Sequence, residues 1–124
     1  MSEESRIESL IESLFALSPV VRYAAVYLRG ELFTASREGT AGASSSESDK
    51  YEELLVNPTL LTLARQRGNI DCGGLEYVLV RYGNFFQLVT PLEGGHLSVC
   101  IEPHSDPLHL LEPVGEAVHQ TGLR

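Results

Sequence analysis

Residues 75–82 read Leu-Glu-Tyr-Val-Leu-Val-Arg-Tyr, residues 83–84 Gly-Asn, and residues 85–90 Phe-Phe-Gln-Leu-Val-Thr. Residues 91–95 follow as Pro-Leu-Glu-Gly-Gly and residues 96–101 as His-Leu-Ser-Val-Cys-Ile. Three runs rich in β-branched and aromatic residues are thus separated by two compact turn signals. Gly83-Asn84 predicts a two-residue hairpin, because a primed turn needs positive φ and both residue types tolerate it. Gly94-Gly95 predicts the second hairpin, so the stretch is expected to fold as a three-stranded antiparallel meander. Tyr77 and Leu79 fall on one face of the first strand, Val78 and Val80 on the other; Val99 and Ile101 oppose Leu97 less cleanly. Apolar residues on both faces predict a sheet covered on both sides.

Upstream, Ser5-x-x-Glu8 has the form of a capping box, and Ile7, Leu10, Ile11, Leu14 and Phe15 recur at helical spacing. An amphipathic helix over one sheet face is expected, stopped by Ser18-Pro19. Residues 20–28, Val-Val-Arg-Tyr-Ala-Ala-Val-Tyr-Leu, predict a strand, Gly30 a turn, and residues 31–36 the hairpin partner. Ala24 and Ala25 are small enough for a helix to lie close to that strand. Residues 39–46 are Gly, Ala, Ser and Thr alone, which predicts a mobile loop within the domain, since they have nothing to bury.

Asp49-x-x-Glu52 repeats the capping pattern ahead of Tyr51, Leu54 and Leu55. Asn57-Pro58 then predicts a restart or kink, with Asn57 as N-cap, because Pro is favourable at the first helical position and disruptive further in. Leu60, Leu61, Leu63 and Ala64 continue the pattern. Arg65 and Arg67 are placed in the last turn, where cations suit the helix dipole, and Gly68 closes it. Beyond the meander, Asp106-Pro107 opens a helix carrying Leu108, Leu111, Val114 and Val118, which Pro113 is expected to kink or split. The order helix, hairpin, helix, meander, helix implies an α+β domain spanning residues 1–124. Its core would be a single five-stranded antiparallel sheet with helices on both faces.

A chain of 124 residues buries roughly two-thirds of its unfolded surface without covalent staples. Its net charge of −8 argues against nucleic acid and against anionic membrane surfaces, both of which repel it. No apolar run approaches the roughly 20 residues that a bilayer requires, so no membrane insertion is expected. The Met-Ser-Glu-Glu-Ser start lacks the basic and apolar regions of a signal peptide, and a cytoplasmic address is expected. Two cysteines, Cys72 and Cys100, would then stay reduced, with Cys100 acting as a small buried hydrophobe inside its strand.

The chain has no P-loop, no Gly-x-Gly-x-x-Gly, no Gly-x-Ser-x-Gly and no His-Glu-x-x-His. Cys100-x-x-x-His104-x-x-x-x-His109, with His96 close by, offers zinc-type ligands, but a structural site wants four ligands with tightly spaced cysteines. No metal and no cofactor are therefore expected. Cys72 precedes two glycines and lacks a neighbouring His to activate it as a nucleophile. The acidic residues gather at expected helix starts, where dipole compensation accounts for them. Arg65 and Arg67 admit two readings: dipole pairing, or, with Leu61, an apolar anchor ringed by guanidinium at a docking surface.

Residues 23–36, Tyr-Ala-Ala-Val-Tyr-Leu-Arg-Gly-Glu-Leu-Phe-Thr-Ala-Ser, form a first hairpin that resembles the roadblock/dynein light chain family. Asn-Phe-Phe-Gln-Leu-Val at 84–89, His-Leu-Ser-Val-Cys-Ile at 96–101 and the terminal helix fit the same pattern, which covers essentially the whole chain. Two departures are Arg29-Gly30 where the family often has Asp-Gly, and Pro58 within the middle helix. The resemblance implies a profilin-like fold without an active site, dimerising through sheet edges and paired middle helices. It also implies binding to small Ras-like GTPases or assembly into motor and signalling complexes. By position it implies a homodimer seam along residues 58–67 and 75–82, including Leu60, Ala64, Glu76, Val78 and Val80. Leu61, Arg65 and Arg67 would be the partner-binding residues. The alternative is a sensor or small enzyme of α+β fold with a pocket near Cys100, His104 and His109.

Overall fold

The computed structural model describes residues 2–37 and 46–124. Five strands form one antiparallel sheet: β1 (Val21–Leu28), β2 (Glu31–Ser36), β3 (Val78–Arg81), β4 (Phe86–Leu92) and β5 (Gly95–Ile101), in the order β2-β1-β5-β4-β3. The two hairpins of the sequence meet through β1 and β5, at the centre of the sheet. The shorter strands β2 and β3 are its edges.

Two helices cover one face: α1 (Glu3–Leu17) and α4 (Leu108–Thr121). Ile7, Leu10 and Leu14 of α1 recur every three or four residues, as do Leu110, Val114 and Val118 of α4, and all are buried. They pack on Ala24, Val26 and Leu28 of β1, Leu88 and Leu92 of β4, and Leu97, Val99 and Ile101 of β5. Leu97, Val99 and Ile101 therefore share one face, as alternation over two residues requires, and do not oppose one another.

The opposite face carries α2 (Ser46–Tyr51), a π-helical segment (Glu52–Val56) and α3 (Asn57–Asp71), run together without a break. This corrects the reading of Asn57 as an N-cap. Asn57 has helical φ and ψ, and its N–H bonds the Glu52 carbonyl five residues back. A proline lacks the N–H and crowds the carbonyl four residues before it. Widening the turn ahead of Pro58 by one residue accommodates that ring, so the helix bulges where a restart was expected.

Several ends lie elsewhere than the local signals suggest. The α1 cap is Ser2, whose Oγ accepts the Ser5 N–H at 3.1 Å, three residues ahead of the Ser5-x-x-Glu8 box. Asp49 lies inside α2, not at its cap. Helix α3 passes Gly68 and runs on to Asp71, which leaves Arg65 and Arg67 outside the last turn. The reversal comes at Gly73 and Gly74, with φ of 82° and 91°, and the Gly74 N–H returns to the Gly68 carbonyl at 3.0 Å. Residues 75–77, expected in the first meander strand, precede β3. Pro113 is held inside α4 without splitting it.

The hairpin turns also exchange character. Neither Gly83 nor Asn84 has positive φ, although the Tyr82 N–H closes that turn on the Phe85 carbonyl at 2.9 Å. Arg29 and Gly30, at φ 46° and 88°, instead supply the left-handed pair of a primed turn between β1 and β2. The second meander turn is Glu93-Gly94, and Gly95 already belongs to β5. The Gly/Ser-rich stretch expected as a loop falls largely on residues 38–45, outside the described residues.

Candidate functional site

The face beneath the π turn differs from the apolar one. Gln87 on β4 alternates with core residues, as do His96, Ser98 and Cys100 on β5, so the pleat aims these polar groups at the π turn. All four are buried. The Gln87 side chain donates to the Ser98 hydroxyl, and the Cys100 thiol donates to Gln87 Oε1 at 3.2 Å. From the helical side come Glu53 and Asn57, four residues apart and 1% and 0% exposed.

Glu53 Oε1 accepts from Asn57 Nδ2 at 2.9 Å and meets His96 Nε2 at 2.8 Å. The other carboxylate oxygen, Oε2, and the Tyr23 hydroxyl on β1 are both shut off from solvent, and Glu53 is among the groups that act on that hydroxyl. At the rim, Tyr82 donates to Glu52 Oε1 at 2.9 Å. Glu53, Tyr23, Glu52, Tyr82, Phe85, Gln87 and Cys100 line a cavity of about 440 Å³ between helix and sheet.

The cavity carries a negative field. Burial, then the Glu53 and Asp49 carboxylates, raise the Tyr23 hydroxyl and the Cys100 thiol well above their usual range. Burial and the bond to Glu52 raise Tyr82 to about 12. Burial also raises Glu52 despite its bond from Tyr82. A thiol held protonated in this way is a poor nucleophile. Cys100 thus behaves as the buried structural thiol expected from its strand position.

A pocket lined in part by Cys100 exists, but neither His104 nor His109 lines it, and the nearby His96 contacts Glu53. His104 and His109 are exposed, His109 pairing with Asp106 at 3.5 Å on α4. Among the described residues no three His, Cys, Asp or Glu side chains are grouped as metal ligands. No described helix is long and apolar enough to cross a membrane.

A second candidate surface lies along α3 and β3. Leu61, expected at a docking surface, is 2% exposed and turned into the chain. It is therefore no exposed anchor. The outward apolar residues are Leu63 and Ile70, 63% and 74% exposed. Arg65 is half-buried, and Arg67 is exposed, pairing with Asp71 at 2.5 Å. Of the residues placed at the seam, Leu60, Ala64, Val78 and Val80 are half-buried. Glu76 is exposed and held by Arg124 at 2.6 Å. β3 is a sheet edge, as a pairing strand must be.

The sequence reading missed Glu53, Asn57, His96 and Gln87. The signal was present: polar side chains at 96, 98 and 100 alternate with apolar ones in a strand that sits at the sheet centre. Only a facing polar helix explains that alternation.

No family model matches the chain, and no curated protein matches it in sequence. Solved structures do match. A roadblock/LC7 domain from Streptomyces avermitilis superposes at a TM-score of 0.63 with 17% identity, over 91% of this chain and 88% of that one. The gliding protein MglB from Thermus thermophilus gives 0.66 with 14% identity, over 98% and 87%. A further structure, of MglB in a tetrameric arrangement, gives 0.65 with 14% identity, over 96% and 86%. LokiProfilin1, in complex with rabbit actin, gives 0.58 with 17% identity, over 98% and 96%. At such identities the likeness is one of architecture: the chain has the roadblock/profilin-like α+β fold, one five-stranded antiparallel sheet between helices.

Proposed function

We propose that the chain is a non-catalytic, homodimeric protein-binding module that regulates or scaffolds a small Ras-like GTPase or a motor or signalling complex. The observation that carries this reading is α3, which buries only Asn57 and Leu61 along its 15 residues and exposes Leu63 and Ile70. Burying a leucine or isoleucine side chain is worth about 1.5–3 kcal/mol, so an outer face of this kind favours a covering partner. Strand β3, the element that follows α3 in the chain, has one unpaired edge of backbone donors and acceptors. A two-fold contact pairing β3 with β3 and α3 with α3 covers both features with a single patch. Structural neighbours with this fold include one in a tetrameric arrangement and one bound to actin, which supports protein contact as the use of the scaffold.

In this reading Leu60, Ala64, Val78 and Val80 lie along the seam with Leu63 and Ile70, and Glu76 flanks it. Arg65 and Arg67 face the protein partner. Light scattering at micromolar concentration should give twice the chain mass, and Leu63→Lys with Ile70→Lys should give the monomer mass with the circular dichroism spectrum retained. Charge reversal at Arg65 and Arg67 should leave folding and dimerisation intact while weakening capture of a nucleotide-loaded GTPase. A monomeric wild type would refute the dimer. Unchanged capture by the folded arginine variant would move the docking surface elsewhere.

A further inference from the structure

The two faces of the sheet hold their helices in different ways. On one, Ile7, Leu10 and Leu14 of α1 and Leu110, Val114 and Val118 of α4 join β1, β4 and β5 in one apolar cluster. No described residue of 46–71 belongs to that cluster. Among the described residues of that stretch, Leu61 is the one buried apolar side chain, and the others buried with it are polar, Glu53 and Asn57. Glu53 Oε1 meets His96 on β5 at 2.8 Å, and the same carboxylate acts on the Tyr23 hydroxyl on β1. Glu52 accepts from Tyr82 at 2.9 Å. A cavity of about 440 Å³ is lined from the π turn above and from β1, β4 and β5 below. The strands beneath keep bonds of their own: Gln87 donates to Ser98, and Cys100 donates to Gln87 at 3.2 Å.

Apolar stabilisation scales with buried area, and dispersion needs touching atoms. A layer that buries one leucine and lies over a cavity is therefore gripped less firmly than α1 and α4. Its polar contacts work as a catch. Whole, a buried hydrogen bond nets little over hydration; half-made, it leaves a buried group without its partner. Lifting the whole layer returns Glu53, Asn57 and His96 to water together and leaves none of them buried alone. The Gln87, Ser98 and Cys100 bonds survive the lift, because both ends of each lie on the sheet. At the far end the chain leaves α3 through the turn at Gly73 and Gly74, ahead of β3. We infer that α2, the π turn and α3 form a latched flap, which lifts from the sheet as one unit while the α1–α4 face stays folded, with Glu53 as the latch. The lifted form uncovers Gln87, His96, Ser98 and Cys100, all buried in the closed one. A partner that prefers either form shifts the balance between them.

Native-state hydrogen exchange on the full chain, followed residue by residue at low urea, reads such an opening. The monomeric form is used: the wild type or, if that is a dimer, Leu63→Lys with Ile70→Lys. The exchange result then stands apart from the mass result that tests the dimer. After correction for intrinsic rates, amides of 60–70 should exchange at least about tenfold faster than those of α1 and α4. Their dependence on urea should be shallower, because less surface opens. Ile7→Val is the discriminating change. It thins the apolar cluster by one methyl group and should speed α1 and α4 exchange about 2- to 10-fold through complete unfolding. It should leave α3 exchange unchanged, because the flap lifts with that cluster intact. Glu53→Gln, which keeps the shape and removes the charge, should speed α3 exchange at least about tenfold, as expected for weakening a hydrogen bond to a charged group. If that variant does not fold, Tyr82→Phe, which frees Glu52 in the same turn, should speed α3 exchange a few-fold. Equal protection of the two faces, an Ile7→Val effect of the same size on α3, or unchanged α3 exchange in the folded latch variant would overturn the inference.

Discussion

Asn57→Asp is the sharpest probe of the buried cluster, because it changes charge while leaving shape nearly intact. In the native chain the Asn57 amide donates to Glu53 Oε1 across 2.9 Å. The substitution replaces that donor with a second carboxylate oxygen at the same place. Two full charges at that spacing repel by on the order of 6 kcal/mol at an effective dielectric of about 20. The pair has a cheaper escape, which is to retain one proton between the two carboxyls. Against an unfolded carboxyl that titrates near ~4, holding that proton at neutral pH costs about 1.4 kcal/mol per pH unit, or about 4 kcal/mol at pH 7. That sets the ceiling on the destabilisation, and a domain of this size, with about 10 kcal/mol of stability, survives it. The sign follows from proton counting. Between pH 4 and 7 the folded variant holds a proton that its unfolded chain has released, so its stability falls as pH rises. Asn57→Ala removes the same donor without adding charge, and its cost, about 1–3 kcal/mol, should vary little with pH. Urea denaturation of the three proteins at pH 5 and pH 7 separates the cases. The Asp variant should lose roughly 2–3 kcal/mol more at pH 7 than at pH 5, relative to the Ala variant. Parallel behaviour of the two variants would refute the buried Asn57–Glu53 contact and the site built on it.

Three further outcomes follow from other parts of the structure. A Cβ on Gly95 would lie 1.7 Å from the Tyr27 carbonyl oxygen, so Gly95→Ala must part β1 from β5 at the sheet centre; little or no folded protein by circular dichroism is expected. Arg37 donates to the carbonyls of Val21 at 2.8 Å, Phe15 at 2.8 Å and Ser18 at 3.2 Å, tying the end of α1 to the sheet. Arg37→Met should cost about 2–3 kcal/mol, which lowers Tm by about 10 °C in calorimetry for a chain of this length. Burial and the bond to Glu52 raise Tyr82 to about 12 and burial raises Tyr23 further, while the unfolded chain loses both protons near ~10. Stability should therefore be full below pH 10 and fall as pH rises through 10 to 12, and Tyr82→Phe should make that fall shallower in urea titrations.

The strands and their partners were legible in the sequence because period-two alternation and short turn signals are local. β2 has the same bounds in structure as in sequence, and the meander and first hairpin form, with the first meander strand shorter than expected and its turns of another kind. The apolar stripes of α1 and α4 likewise identify the faces they bury. Tertiary structure decided what local rules could not. Pro58 signals a helix break in isolation, but the helix stays continuous through a π turn whose Glu53 holds both Asn57 and His96 of the sheet. Gly83-Asn84 suits a primed turn by composition, yet Arg29 takes the left-handed conformation instead. There its amide reaches the Gly94 carbonyl at 3.0 Å and its guanidinium reaches Glu3. Leu61 and Leu63 are indistinguishable by composition, and only the placement of α3 makes one a core residue and the other a surface one. The Glu53–Asn57–His96 cluster joins residues up to 43 positions apart. A hydrogen bond over that separation leaves no local periodicity, because its geometry exists only once the helix lies on the sheet.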